Sequence, residues 1–131
     1  MSTNITMLVL SLLLLLILQL VQGLHTTTNH GLPYSLSSRD KAVDLGLFGG
    51  RLQRAKVNLI ENLALFVPLS IVAEVSHASP ATVAWGAIIF FAARVVHAVT
   101  YLSGVSIIRT LSWVAGVVGC VMIGLAIVGW A

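Results

Sequence analysis

Two polar triplets interrupt otherwise apolar stretches of this chain: Arg54, Asn58 and Glu61 in one, Arg94, His97 and Tyr101 in the next. Their spacings, four then three and three then four, put each triplet on a single helical face. A charged group at bilayer depth costs on the order of 3 kcal/mol even on lenient insertion scales, so such residues persist there with a partner or a task. Arg109, at the start of a later apolar run, adds a cation. Cations above and a carboxylate below would form a funnel suited to a small zwitterion carrying surplus negative charge.

Such groups need rigid elements to hold them, and composition says which kind. The 131 residues are 58% hydrophobic and only 8% charged, too apolar for an ordinary soluble domain and too short for more than one small unit over residues 1–131. Hydropathy resolves four spans, at 7–24, 57–75, 81–102 and 110–130. Each is near the ~20 residues a helix needs to cross the hydrocarbon core. Period-two alternation is absent, which argues against a barrel. The first span lacks a basic n-region and outruns a signal peptide's apolar core, so it reads as a retained helix. The expected fold is an all-α integral membrane protein, a four-helix bundle running up-down-up-down.

Arg39, Lys41, Arg51, Arg54 and Lys56 lie in the first connection or at the start of the second span, whereas the second connection, Glu74 to Pro80, has no Lys or Arg. The positive-inside rule then puts the first and third connections in the cytoplasm and both termini outside, as in a bacterial inner membrane or its equivalent. That bias accounts for the net charge of +3 without a nucleic-acid partner. The stretch from His25 to Gly50 reads as a surface loop, and Pro68 predicts a bend in the second helix. Trp113 and Trp130 match the two interfacial aromatic belts. Gly116, Cys120 and Gly124 form a small-residue stripe suited to close approach by another helix.

With the second helix descending and the third returning, Arg54 and Tyr101 share one level, Asn58 and His97 the next, and Glu61 and Arg94 a third, about 10 Å below the first. At that third level a buried Glu61–Arg94 ion pair is the expected way to keep both residues charged. The plain alternative is that these polar residues only tie the bundle together. Arg51, Arg54 and Lys56 alone would be interfacial anchors. His25, His30 and His77 have no metal-ligand spacing, and the single Cys120 offers neither a disulfide nor a thiolate cluster, so no metal site is expected.

The run from Arg51 through Arg54, Asn58 and Glu61 to Asn62, followed by Ala93-Arg94-Val95-Val96-His97 with Tyr101 and then Arg109-Thr110, resembles the MAPEG family, the membrane-associated proteins in eicosanoid and glutathione metabolism. The similarity covers most of the chain from Arg51 onward and is to the short, bacterial type. It implies a homotrimer of four-helix subunits that binds glutathione as co-substrate in cytoplasm-facing sites between subunits. It further implies that Arg54, Asn58, Glu61, His97 and Tyr101 contact the peptide, that Arg94 supports Glu61, and that Arg109 and Thr110 face the sulfur. The implied activity is a transferase or peroxidase-like reaction on a hydrophobic small molecule. Alternatives are a membrane protein that binds glutathione without turnover and a structural subunit of a larger assembly; a transporter is disfavoured because no span is broken in its middle. The chain departs from the family's eukaryotic enzymes at Val57, where a further arginine is frequent, and at Trp113, where some have tyrosine. Thr110 replaces a serine, and the first helix offers only Gln19 and Gln22 where those enzymes place a basic residue.

Overall fold

The computed structural model describes residues 1–130 and is all-helical over them. The expected unit's last residue, Ala131, lies outside the described residues. Helix α1 runs from Thr3 to His30, a one-turn α2 from Leu32 to Leu36, α3 from Gly46 to Val75, α4 from Pro80 to Ser103, and α5 from Ser106 to Ile127. The four long helices are all long and apolar enough to cross a membrane. At 1.5 Å per residue the 30-residue α3 is about 45 Å long, more than the ~30 Å hydrocarbon thickness.

Local chemistry sets the ends. Ser2 caps α1 by accepting the Ile5 N–H at 3.2 Å. Pro80 opens α4 at a position where no N–H is needed. Gly104 closes α4 in the left-handed region at φ 82°, its N–H donating to the Thr100 carbonyl at 2.9 Å, and the chain re-enters a helix two residues later. The segment expected as a loop from His25 to Gly50 is largely helical. Threonines and histidines carry α1 on to His30, where Gly31 at φ 84° ends it, and α3 begins four residues before Gly50. α3 also continues through Pro68, which lies on its exposed side.

α3 and α4 touch each other and both flanking helices, whereas α1 and α5 do not meet among the described residues. Contacts at both ends define the direction of each helix: Asn4 of α1 reaches Ser70 and Glu74 near the end of α3, and His25 packs on Phe48 near its start. The helices therefore alternate in direction. Midway, Phe66 of α3 stacks on Phe90 of α4 with ring centroids 3.9 Å apart. α4 and α5 cross where Gly86 meets Gly119; a methyl added at Gly119 would lie 2.5 Å from the Gly86 carbonyl oxygen. Leu16, Ile17, Leu20, Trp85, Val99 and Leu111 face outward, as a lipid-facing surface requires.

Candidate functional site

At the end of the bundle bearing the basic start of α3, Asn58, His97, Tyr101, Arg109, Thr110 and Trp113 line a cleft of about 250 Å³. α3 contributes the amide, the last two turns of α4 the imidazole and phenol, and the first two turns of α5 the rest. The tight turn at Gly104 sets Arg109 beside Tyr101: its guanidinium carbon sits 4.9 Å from the ring centroid. Arg54, at the rim, approaches the same ring at 5.8 Å. The His97 and Tyr101 rings lie 5.4 Å apart, with His97 buried and Tyr101 half-buried.

Behind the wall, Arg94 is 2% exposed. It donates to the Asn58 side-chain oxygen at 3.1 Å and to the Ser112 and Trp113 carbonyls of α5 at 3.0 and 3.3 Å, while its Nε has no partner. Gly116 makes this possible. A Cβ there would overlap the Arg94 guanidinium, so the missing side chain is what exposes those α5 carbonyls. Within the protomer the stripe at Gly116, Cys120 and Gly124 does not carry the close helix crossing: Gly116 houses a guanidinium, Gly124 has nothing within 4 Å of an added Cβ, and the crossing falls at Gly119.

The expected Glu61–Arg94 ion pair does not form. The buried residues of α3, Gly49, Leu52, Ala55, Leu59, Asn62, Leu63, Phe66, Ser70 and Ala73, centre on the direction of Leu59. At about 100° per residue, Asn58 points about 100° from that direction, Arg54 about 140° and Glu61 about 160°. The triplet does share a face, but only its inner edge, Asn58, hydrogen-bonds to α4. Glu61 and Arg54 are exposed, and Arg94, with its long stem, reaches the Asn58 layer instead.

Commitment of hydrogen bonds separates supports from contact groups. Arg51 donates to the Leu102 carbonyl at 3.4 Å, at the end of α4. Thr110 donates its hydroxyl proton to the Ser106 carbonyl at 3.1 Å, so toward the cleft it offers lone pairs. Among the described residues, the Arg54 and Arg109 guanidiniums, the His97 ring, the Tyr101 hydroxyl and the Asn58 amide nitrogen make no hydrogen bond. Those groups converge, uncommitted, on one opening.

The sequence reading missed two participants. Asn62 donates to the Asn58 backbone carbonyl at 2.8 Å and lies 3.3 Å from its side-chain oxygen. Trp113, read as a belt anchor, also lines the cleft. Asn62 had a visible signal, a polar residue one turn from Asn58 inside an apolar span.

Four antiparallel helices, each long and apolar enough to span a membrane, with a polar cleft containing Arg109 at one end, define an integral membrane protein. The family model described as MAPEG family matches residues 4–129, so the chain belongs to the MAPEG family, membrane proteins of the glutathione-linked transferase and peroxidase type. A search among curated proteins found no match.

Proposed function

We propose that the protein is a membrane-bound, glutathione-dependent transferase or peroxidase-like enzyme acting on lipophilic electrophiles. The observation that carries this reading is the convergence of uncommitted donors, Asn58, Tyr101 and Arg109 with Arg54 at the rim, on one cleft in a member of this family. The fit is chemical: a peptide with two carboxylates needs several cationic and neutral donors, and the cleft presents them without a competing carboxylate in its lining. When bound, glutathione supplies a thiol nucleophile. Arg109 lies in the first turn of α5, where guanidinium charge and helix N-terminus both favour an anion. The Tyr101 ring holds Arg109 in place, and Trp113 gives an apolar wall for a hydrophobic partner.

Arg54 and Glu61 stand on the face of α3 that the protomer leaves uncovered. A carboxylate within a spanning helix needs a partner, and a neighbouring copy supplies one, so the working form is a homotrimer with the site completed across the subunit boundary. The basic bias of the same end sets the site toward the cytoplasm and the termini outside.

Thermal stabilisation of purified protein by glutathione, followed by conjugation of a chromogenic electrophile, tests the reading. Stabilisation with turnover is expected. Stabilisation without turnover for several electrophiles supports a non-catalytic binder, and no stabilisation overturns both. Cysteine introduced at Ser37 should be labelled only from the cytoplasmic side and one at Ser79 only from outside; the reverse pattern would put the site in the wrong compartment.

A further inference from the structure

One amide in the cleft has its chemical sense decided by its neighbours. The Asn62 side-chain atom 2.8 Å from the Asn58 backbone carbonyl must be nitrogen, because a carbonyl only accepts. That same nitrogen lies 3.3 Å from the Asn58 side chain, so the Asn58 atom facing it must be the oxygen. Arg94, which can only donate, meets the same atom at 3.1 Å from the other helix. Two obligate donors thus take both lone pairs of the Asn58 oxygen, and the amide cannot flip without setting N–H against N–H.

We propose that Asn62 and Arg94 are positioning residues that present Asn58 to the cleft solely as a hydrogen-bond donor, making this inner wall selective for a carboxylate and unfavourable for an ammonium group. The proposal rests on the reading of glutathione as ligand. The guanidinium at the amide oxygen also draws electron density toward itself, which strengthens the N–H groups as donors. With Arg109 beside it and Glu61 turned away, the wall carries no acidic side chain to hold an ammonium. A zwitterionic ligand therefore enters with a carboxylate toward Asn58 and its amine toward the uncovered side of α3, where Glu61 lies.

Asn58→Asp separates packing from selectivity. It keeps an oxygen for Arg94 and Asn62, so the protein should fold and melt close to wild type, but it replaces the donors facing the cleft with an acceptor. Calorimetry in nanodiscs with glutathione and with glutathione diethyl ester as probes should show wild type preferring glutathione. Asn58→Asp should lose roughly tenfold or more of glutathione affinity, the scale of one charge-assisted hydrogen bond, with little change for the ester. Asn62→Leu should shrink the glutathione-to-ester ratio severalfold, whereas a purely structural role would move both affinities together. Full glutathione affinity in Asn58→Asp, or an unchanged ratio in Asn62→Leu, would overturn the proposal. A ligand-free arm distinguishes this failure from failure of the glutathione reading. In protein labelled with ¹⁵N-asparagine, the Asn58 side-chain resonance should move on Asn62→Leu, and an unmoved resonance overturns the positioning role even if wild type never binds glutathione.

Discussion

At the end of the bundle where α1 starts and α3 finishes, the Glu74 carboxylate accepts hydrogen bonds from Ser2 and Asn4, and Asn4 also donates to the Ser70 carbonyl at 2.9 Å. At the opposite end, Arg94 and Arg51 are committed to α4, α5 and Asn58, but a second set of polar groups, His97, Tyr101, Arg109 and Arg54, is left without hydrogen-bond partners around an opening. Both ends are polar. The first joins α1 to α3 and is a strut, bordering an opening of its own of about 290 Å³; the second has a strut behind and a face of uncommitted donors in front. A polar residue inside a membrane protein is therefore best judged by whether its hydrogen bonds close on the protein or remain open toward a cleft.

The sharpest way to break this contrast is to remove the support beneath the open end. Arg94→Met deletes three hydrogen bonds and leaves the Asn58 oxygen with one donor, so stability should fall by about 3 kcal/mol. Unfolding in detergent micelles measures that loss, and glutathione-induced stabilisation should vanish with it. An effect below about 1 kcal/mol would show that Arg94 is not the strut. A double-mutant cycle refines the point. Asn58 and Arg94 should couple by about 1 kcal/mol, whereas Glu61 and Arg94 should couple by less than about 0.5 kcal/mol.

On the open face the expected effect is kinetic. Arg109→Leu should lower the conjugation rate roughly tenfold or more, a larger factor than its loss of glutathione affinity, because Asn58, Tyr101 and Arg54 still hold the peptide. The ultraviolet absorbance of bound thiolate across pH should report a thiol pKa below the ~8.5 of a free thiol in wild type and near that value in the variant. Equal titration in both proteins would remove Arg109 from the chemistry.

The smallest effects belong to the strut end. Asn4→Leu removes a donor together with a buried oxygen that has no partner, so the net change in stability should stay within about 1 kcal/mol, with glutathione stabilisation intact. Loss of that stabilisation would mean the two ends communicate.

The number and direction of the long helices were legible because each span is predominantly apolar over the length a membrane requires and the turns at Ser76–Pro80 and Gly104 carry glycine or proline at the needed place. The candidate site was legible in part: spacing put Asn58, His97 and Tyr101 near one another, the start of the fourth span added Arg109 and the family resemblance Thr110, and the structure gathers them in one cleft. Spacing gave the face that Arg54, Asn58 and Glu61 share but not its azimuth relative to α4. That azimuth depends on which stripe of α3 buries Leu59 and Phe66, a property of packing across helices. The role of Gly116 was hidden for a related reason, since a small residue that admits a guanidinium and one that admits a helix look identical in sequence.

The central claim is that the cleft at the basic end binds glutathione, and hydrogen–deuterium exchange in nanodiscs with and without glutathione tests it most directly. Amides in peptides covering residues 54–62, 94–101 and 106–113 should gain protection, while those covering 2–8 and 70–76 should not change. No protection at the first set, or protection centred on the second, would contradict the assignment.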